Sequence, residues 1–82
     1  MTTAEKFYAE YTNVSYDYEY NCKNWDEWEP LMNKIRAEAI SEEEEGSGSW
    51  DPSIIFKFAD GSAIYVGNPR QGAFDGFMRV VA

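Results

Sequence analysis

Histidine is absent from this sequence of 82 residues, and cysteine occurs once, as Cys22. Without histidine the chain cannot build a Ser-His-Asp or Cys-His catalytic group, or a zinc site that needs an imidazole ligand. A single cysteine forms neither an internal disulfide nor a Cys-x-x-Cys pair, and we expect Cys22 to contribute to packing. These absences predict a protein that is not an enzyme and that uses no metal or other cofactor.

Long apolar segments are lacking as well. No apolar run approaches the roughly 18 to 20 residues that a membrane-spanning helix requires. The first residues, 1–5, have neither the basic region nor the apolar region of a secretory signal. With a lone cysteine and no such signal, we expect a cytoplasmic protein that has no membrane partner.

Basic residues are outnumbered by acidic ones. The chain has 15 acidic and 7 basic residues, which gives a net charge of −8 and a pI of about 4.3. Such a chain is repelled by nucleic acids and is attracted to basic proteins. The excess lies in residues 1–45, which hold 12 acids and 4 bases, whereas residues 46–82 hold 3 of each. We interpret residues 1–82 as one domain with an acidic, helix-rich half and a neutral β half, because neither half is large enough to bury a core alone.

The strongest helical pattern covers residues 26–44. Its apolar residues recur at the spacing of one helix face: Trp28, Leu31, Met32, Ile35, Ala39 and Ile40. Asp26 followed by Glu29 matches a capping box at the start. Gly46 is the expected stop signal, followed by a short flexible linker through residue 49.

Two shorter segments precede that helix. Residues 3–13 are predicted to form a first helix, with Ala4, Phe7, Tyr8 and Tyr11 on one side. In residues 15–21, tyrosines alternate strictly with acidic residues, which favours a β-strand. A continuation of the first helix is the alternative.

The second half has the pattern of a β-meander. Strands over residues 53–58 and 62–66 flank a turn that contains Gly61. A three-residue loop pairs Phe56 with Ile64 and collects the apolar side chains on one face. Burial therefore favours this register over that of a two-residue turn.

A third strand is predicted over residues 77–81, after a turn signal at Asp75 and Gly76. The expected fold class is α+β. We expect a three- or four-stranded antiparallel sheet with one long amphipathic helix packed on one face and a short N-terminal helix.

The acidic residues are the candidate partner-binding surface. Along a 19-residue helix of about 28 Å, residues 26–44 with Glu45 would display seven glutamates. One DNA strand has about eight phosphates over that length. The chain is thus a candidate partial mimic of DNA. The proposed surface consists of Asp17, Glu19, Asp26, Glu27, Glu29, Glu38, Glu42, Glu43, Glu44 and Glu45, with Trp25 as an aromatic anchor.

A resemblance to known proteins follows from these features together. The Trp50-Asp51 pair, the Phe-x-Phe-x-Asp-Gly-Ser-x-Ile hairpin of residues 56–64 and the acids of residues 17–45 resemble small phage-encoded inhibitors of the acidic anti-CRISPR type. The resemblance implies a non-enzymatic inhibitor that occupies a basic nucleic-acid channel of a CRISPR effector. These inhibitors share no single fold, so the resemblance implies nothing about topology.

Two other functions fit the same residues. A small structural or adaptor module would bind its partner through exposed aromatic side chains such as Trp25, Trp28, Trp50 and Tyr65. An immunity protein for a basic nuclease toxin would use the acidic surface, as the first hypothesis does. Salt separates the aromatic mode from the acidic modes, because only contacts between charges are screened strongly. The identity of the target and the oligomeric state stay open at this point.

Overall fold

The computed structural model describes residues 1–46, 50–70 and 76–82. In chain order, the helices and strands are α1 (Thr3–Thr12), β1 (Tyr16–Asp17), β2 (Cys22–Lys23), α2 (Trp25–Glu38), β3 (Ser41–Glu45), β4 (Ser53–Lys57), β5 (Ala63–Gly67) and β6 (Phe77–Val80). A small antiparallel sheet contains β1 and β2, and a four-stranded antiparallel sheet has the order β3-β4-β5-β6. The expected α+β class is confirmed.

The first helix begins at a capping box that involves Thr2 and Glu5. The Thr2 hydroxyl accepts a hydrogen bond from the Glu5 amide, and the Glu5 carboxylate accepts one from the Thr2 amide, each at 3.1 Å. This exchange satisfies two amides that the first turn of a helix leaves unpaired. The helix predicted over residues 3–13 is confirmed to within one residue, and it buries Ala4 and Phe7.

The second helix differs from its prediction at both ends. It begins at Trp25 after Asn24, whose side chain makes no capping hydrogen bond, so the capping box predicted from Asp26 and Glu29 is wrong. It ends at Glu38 instead of residue 44. The single long helix predicted over residues 26–44 is therefore replaced by a shorter helix and an additional strand.

The change of structure occurs at Ala39 and Ile40. Ala39 has an extended backbone with ψ of 134°, and the Ile40 amide donates a hydrogen bond to the Lys57 carbonyl at 2.8 Å. Ile40 is 69% exposed, although its spacing had placed it on the apolar stripe. A continued helix would have placed four glutamates at the negative end of the helix dipole, which is unfavourable. Pairing with β4 gives the same residues backbone partners, and Gly46, with φ of 82°, follows a strand and not a helix.

The tyrosine-rich segment forms a tight hairpin. The strand predicted over residues 15–21 is confined to Tyr16–Asp17, and the helical alternative is not formed. The Asp17 carboxylate accepts a hydrogen bond from the Glu19 amide at 3.0 Å, and Asn21 has a positive φ of 56°. Such side-chain bonds to the local backbone favour a turn over a continued strand.

The β-meander follows its predicted register. Phe56 lies opposite Ile64 and Ile54 opposite Val66, as the three-residue loop requires. The third strand is confirmed as β6, although its last residue is Val80. Residues 47–49 of the predicted linker and Asp75 of the second turn signal lie outside the described residues.

Both halves of the chain contribute to one hydrophobic core. Trp28 is fully buried in it, and its indole Nε1 donates a hydrogen bond to the Pro69 carbonyl at 3.2 Å. Its ring also meets the Tyr11 ring edge-on, with centroids 6.1 Å apart. The buried members of this cluster are Ala4, Phe7, Trp28, Leu31, Met32, Ile35, Ile54, Phe56, Phe58, Ile64, Val66 and Met78.

Asp60 connects α1 to the β4–β5 turn. Its Oδ2 accepts hydrogen bonds from the Thr3 amide and hydroxyl at 2.7 and 3.0 Å. Its Oδ1 accepts bonds from the Ser62 hydroxyl and amide at 2.6 and 3.0 Å. The bond from the Ser62 hydroxyl, followed by the amides of Thr3 and Ser62, holds the pKa of Asp60 well below its ordinary value.

We expect Trp28→Phe to lower the free energy of unfolding by about 2 kcal/mol, because it leaves a small cavity and removes the donor to the Pro69 carbonyl. Trp25→Phe is the matched control. Since Trp25 is exposed, its change should stay within about 0.5 kcal/mol. Urea denaturation of both variants measures the difference, and equal losses would contradict the assigned core.

We expect Asp60→Asn to lower the urea midpoint at pH 7 relative to the unchanged protein. The carboxylate has a lowered pKa in the folded state, so its contribution is present above the unfolded value of 3.8 and is lost as the pH falls toward the folded pKa. The difference between the two proteins should therefore shrink below about pH 4. A difference that stays constant from pH 7 to pH 2.5 would contradict this role for the carboxylate.

Candidate functional site

The strongest concentration of charge lies on β3, the terminal strand of the four-stranded sheet. We call Glu42, Glu43, Glu44 and Glu45 on this strand the acidic edge. All four residues are exposed. Among the described strands, β3 pairs only with β4. The acidic edge therefore lies on the rim of the molecule and has an extended backbone, in contrast to the helical arrangement expected from the sequence.

The register of β3 divides the acidic edge between the two faces of the sheet. Glu42 lies opposite Phe56 and Glu44 opposite Ile54, so these two glutamates are on the face that carries the core. Glu43 lies opposite Ile55 on the other face, and Glu45 follows the same alternation. Carboxylates on the same face are therefore spaced by about 6.8 Å along the strand.

Basic side chains near the acidic edge offset only part of its charge. Lys57 Nζ lies 3.6 Å from Glu43 Oε2, but both side chains are more than half exposed, so the ion pair contributes little to stability. On the core face, Arg36 and Arg70 line an open hollow of about 440 Å³ together with Glu42 and Glu44. Two arginines and one lysine thus accompany four glutamates at this rim.

A buried aspartate, Asp51, lines the hollow beside the acidic edge and binds the backbone of Arg70, which also lines it. Asp51 is 8% exposed, and both of its carboxylate oxygens lie 3.2 Å from the Arg70 amide, which donates to them. This contact fixes the chain that follows β5 against the segment that precedes β4. The aspartate of the Trp50-Asp51 pair therefore has a structural partner, while Trp50 itself is 68% exposed.

A second group of acids lies near the start of α2. Asp26 and Glu27 line a groove of about 400 Å³ between α1 and α2, together with Glu10 and Lys34. Lys34 Nζ forms an ion pair with Glu10 at 3.1 Å. Glu27 accepts a hydrogen bond from the Ser15 amide at 3.3 Å, so part of its role is structural.

The remaining acids are dispersed. Asp17 is half-buried and caps its own turn, whereas Glu19, Glu29 and Glu38 are exposed. The second group lies at the start of α2, and the acidic edge follows the end of this helix. Because α2 has 14 residues, its length of about 21 Å separates the two groups. The seven carboxylates expected in one helical row are therefore not in one row. Extended pairing of residues 41–45 is the physical reason.

The aromatic side chains predicted to contact a partner include both buried and exposed residues. Trp28 is buried, so its prediction as an exposed contact residue is wrong, whereas Trp25 is exposed. Tyr65 is half-buried on the open face of the sheet, with the Arg79 guanidinium 4.6 Å from its ring centroid. Among the aromatic side chains of residues 1–46, 50–70 and 76–82, Tyr18 in the β1–β2 turn is the most exposed, at 86%. The alternation of tyrosine and acid drew attention to this segment, but it did not predict that the turn would project the ring.

Cys22 is buried. No group of three or more His, Cys, Asp or Glu side chains among residues 1–46, 50–70 and 76–82 is arranged to hold a metal ion. Across the same residues, no helix combines the length and the apolar character needed to cross a membrane.

Comparison of the chain with protein-family models, with curated proteins and with solved structures gives no match.

We expect replacement of the acidic edge by threonine (E42T/E43T/E44T/E45T) to increase self-association relative to the unchanged protein. Threonine favours strands, and an uncharged edge strand is a template for pairing with a second copy. Sedimentation velocity at matched concentrations measures the effect. High salt should move the unchanged protein in the same direction, because it screens the glutamates. Identical sedimentation of the two proteins would contradict this protective role of the charges.

Proposed function

We propose that this chain is a non-enzymatic inhibitory protein that occupies a basic nucleic-acid-binding site on its target. The acidic edge is its main contact surface, and it competes with nucleic acid for lysine and arginine side chains. The observation that carries the proposal is the conformation of Glu42–Glu45, which are consecutive, exposed and extended. The location that fits this function is the cytoplasm of a bacterial host.

The spacing of the charges supports the mimicry of a nucleic-acid strand. A β-strand advances about 3.4 Å per residue, and one strand of duplex DNA has a phosphate for about every 3.4 Å of helix axis. Over about 14 Å, the acidic edge therefore has the linear charge density of one nucleic-acid strand. A helix with the same residues would place them at about 1.5 Å intervals around all sides of its axis.

The attachment of the strand supports a preorganised contact. Residues 41–45 form five consecutive pairs with β4, which lies next to the core. The backbone under the glutamates is thereby fixed before any partner arrives. Less conformational entropy is lost on binding than a disordered acidic segment would lose.

The suspected target class comes from the resemblance described above. Acidic anti-CRISPR inhibitors are encoded by phages and block the nucleic-acid channel of a CRISPR effector. The same class of target, a basic channel that holds phosphates, fits the acidic edge. Direct binding of nucleic acid by this chain is disfavoured by its net charge of −8.

The test is competition for a fluorescent duplex bound to a purified CRISPR effector. We expect the protein to displace the duplex and E42Q/E43Q/E44Q/E45Q to need a concentration at least about tenfold higher, because four charge contacts are lost. The matched control E19Q/D26N/E27Q/E29Q removes four charges from the β1–β2 turn and the start of α2, away from the acidic edge, and should change the inhibition constant by less than about threefold. Raising the salt concentration should weaken inhibition by the unchanged protein more than inhibition by the quadruple glutamine variant, called the edge variant below, because salt screens the charge contacts that this variant lacks.

Two results would contradict the proposal. Inhibition by the edge variant at full strength would show that the acidic edge is not the contact surface. Failure of the unchanged protein to displace the duplex from any effector of a representative set would remove CRISPR effectors as the target class. In the second case, a basic nuclease toxin replaces the effector in the same assay, which tests the immunity-protein alternative.

The exposed aromatic side chains favour a second candidate function, that of an adaptor module. Tyr18 and Trp50 are both more than two-thirds exposed, and aromatic side chains are frequent anchors of protein interfaces. An adaptor of this kind would bind its partner almost independently of salt. It would lose affinity in Trp50→Ala and keep it in the edge variant, which is the opposite of the pattern expected for the inhibitor.

A further inference from the structure

None of the residues that the structure describes pairs with the backbone on the outer side of β3. The strand is terminal in the sheet, and its only partner among the described strands is β4. In a terminal strand, the amides and carbonyls that point away from the sheet are free to pair with another extended chain. With five residues, β3 is long enough to provide a short ladder of such bonds.

Most structural devices that block a sheet edge are missing from β3. Its five residues pair with five consecutive residues of β4, so the ladder contains no bulge. The sequence Ser-Glu-Glu-Glu-Glu contains no proline, and all five residues are exposed. The protection that is left is charge, and this charge has one sign only.

A single sign of charge makes the edge selective. A second copy pairing antiparallel about Glu43 would place Glu43 opposite Glu43 and Glu42 opposite Glu44, and like charges directly opposite each other destabilise a ladder. Acidic and uncharged partners gain nothing from the side chains. A strand rich in lysine and arginine gains an opposite charge at each cross-strand position.

We propose that β3 is a docking edge to which an extended, lysine- or arginine-rich segment of the target protein adds as a further strand. This inference rests on the proposed function and names how the target is held. Backbone hydrogen bonds align the segment along β3, and its basic side chains lie against the glutamates of both faces. The free amides and carbonyls carry the proposal, and the charge complementarity selects the occupant.

The two faces give the added segment different neighbours. On the core face its side chains meet Glu42 and Glu44, which line the same hollow as Arg36 and Arg70. On the open face they meet Glu43, which already has Lys57 at 3.6 Å. A basic side chain on the open face therefore competes with an existing ion pair for its carboxylate.

The test compares two synthetic peptides of equal charge. The first is a capped, fluorescent nonapeptide of three Lys-Lys-Thr repeats, which places lysines on both faces of a strand, and the second has proline in place of each threonine. The prolines replace residues whose amides point to both edges of the strand, so whichever edge faces β3 loses amide donors, and the number of lysines stays the same. By fluorescence anisotropy at low salt, we expect the threonine peptide to bind at least about tenfold more tightly.

Nuclear magnetic resonance supplies a second measurement on the same samples. Strand addition should slow the exchange of the β3 amides that point away from β4 and leave the exchange of the β4 amides unchanged. E42Q/E44Q should weaken binding of the threonine peptide at least about threefold, and the matched control D26N/E29Q, at the start of α2, should leave it within about twofold. Both variants remove two charges, so net charge alone does not separate them.

Equal affinity of the two peptides would overturn strand addition, because only side-chain charge would then be in use. That result leaves the proposed function intact. Absence of binding by both peptides at millimolar concentration would overturn the docking edge as well. Failure of the proposed function has a different signature: the threonine peptide binds, but the protein does not displace the duplex from an effector.

Discussion

The pairing of β3 with β4 is the interaction on which the placement of charge in this protein depends. It takes residues 41–45 out of the helix that the apolar spacing through Ile40 and their own glutamates favour, and it places them at the rim of a sheet. The first hydrogen bond of this pairing, from the Ile40 amide to the Lys57 carbonyl, follows immediately after the last turn of α2. The acidic surface is therefore a product of tertiary pairing and not of local preference.

The rest of the fold supports that rim from one side. The residues of β4 that face the core, Ile54 and Phe56, lie opposite Glu44 and Glu42, so the strand under the acidic edge is anchored by buried side chains. Asp60 fixes α1 to the β4–β5 turn, and Trp28 connects α2 to the chain after β5. The negative charge is thus concentrated on β3, and its neighbour β4 is anchored in the core. This arrangement favours binding without rearrangement of the backbone.

Elements with local signals could be predicted from the sequence, and the one that depends on a distant partner could not. The three-residue loop at Gly61 determined the hairpin register, and the turn signal at Asp75 and Gly76 marked the start of β6. Ala39 and Ile40 continue the helical spacing, and glutamate is a good helix former, so no local signal placed the end of α2 at Glu38. The one local hint was the opposition of four glutamates to the helix dipole. Exposure of the glutamates followed from their charge, but their extended geometry required β4. The Thr2–Glu5 capping box was visible in the sequence as Thr-x-x-Glu and was missed.

The most direct test of this account is the solution conformation of residues 41–45 by nuclear magnetic resonance. The account predicts Cα chemical shifts typical of a strand, with cross-strand contacts that place Glu43 opposite Ile55 and Glu42 opposite Phe56. Helical shifts that continue from Glu38 through Glu44, without contacts to β4, would contradict it. In that case the glutamates would lie on a helix, and the arguments from strand spacing and from a free sheet edge would both fail.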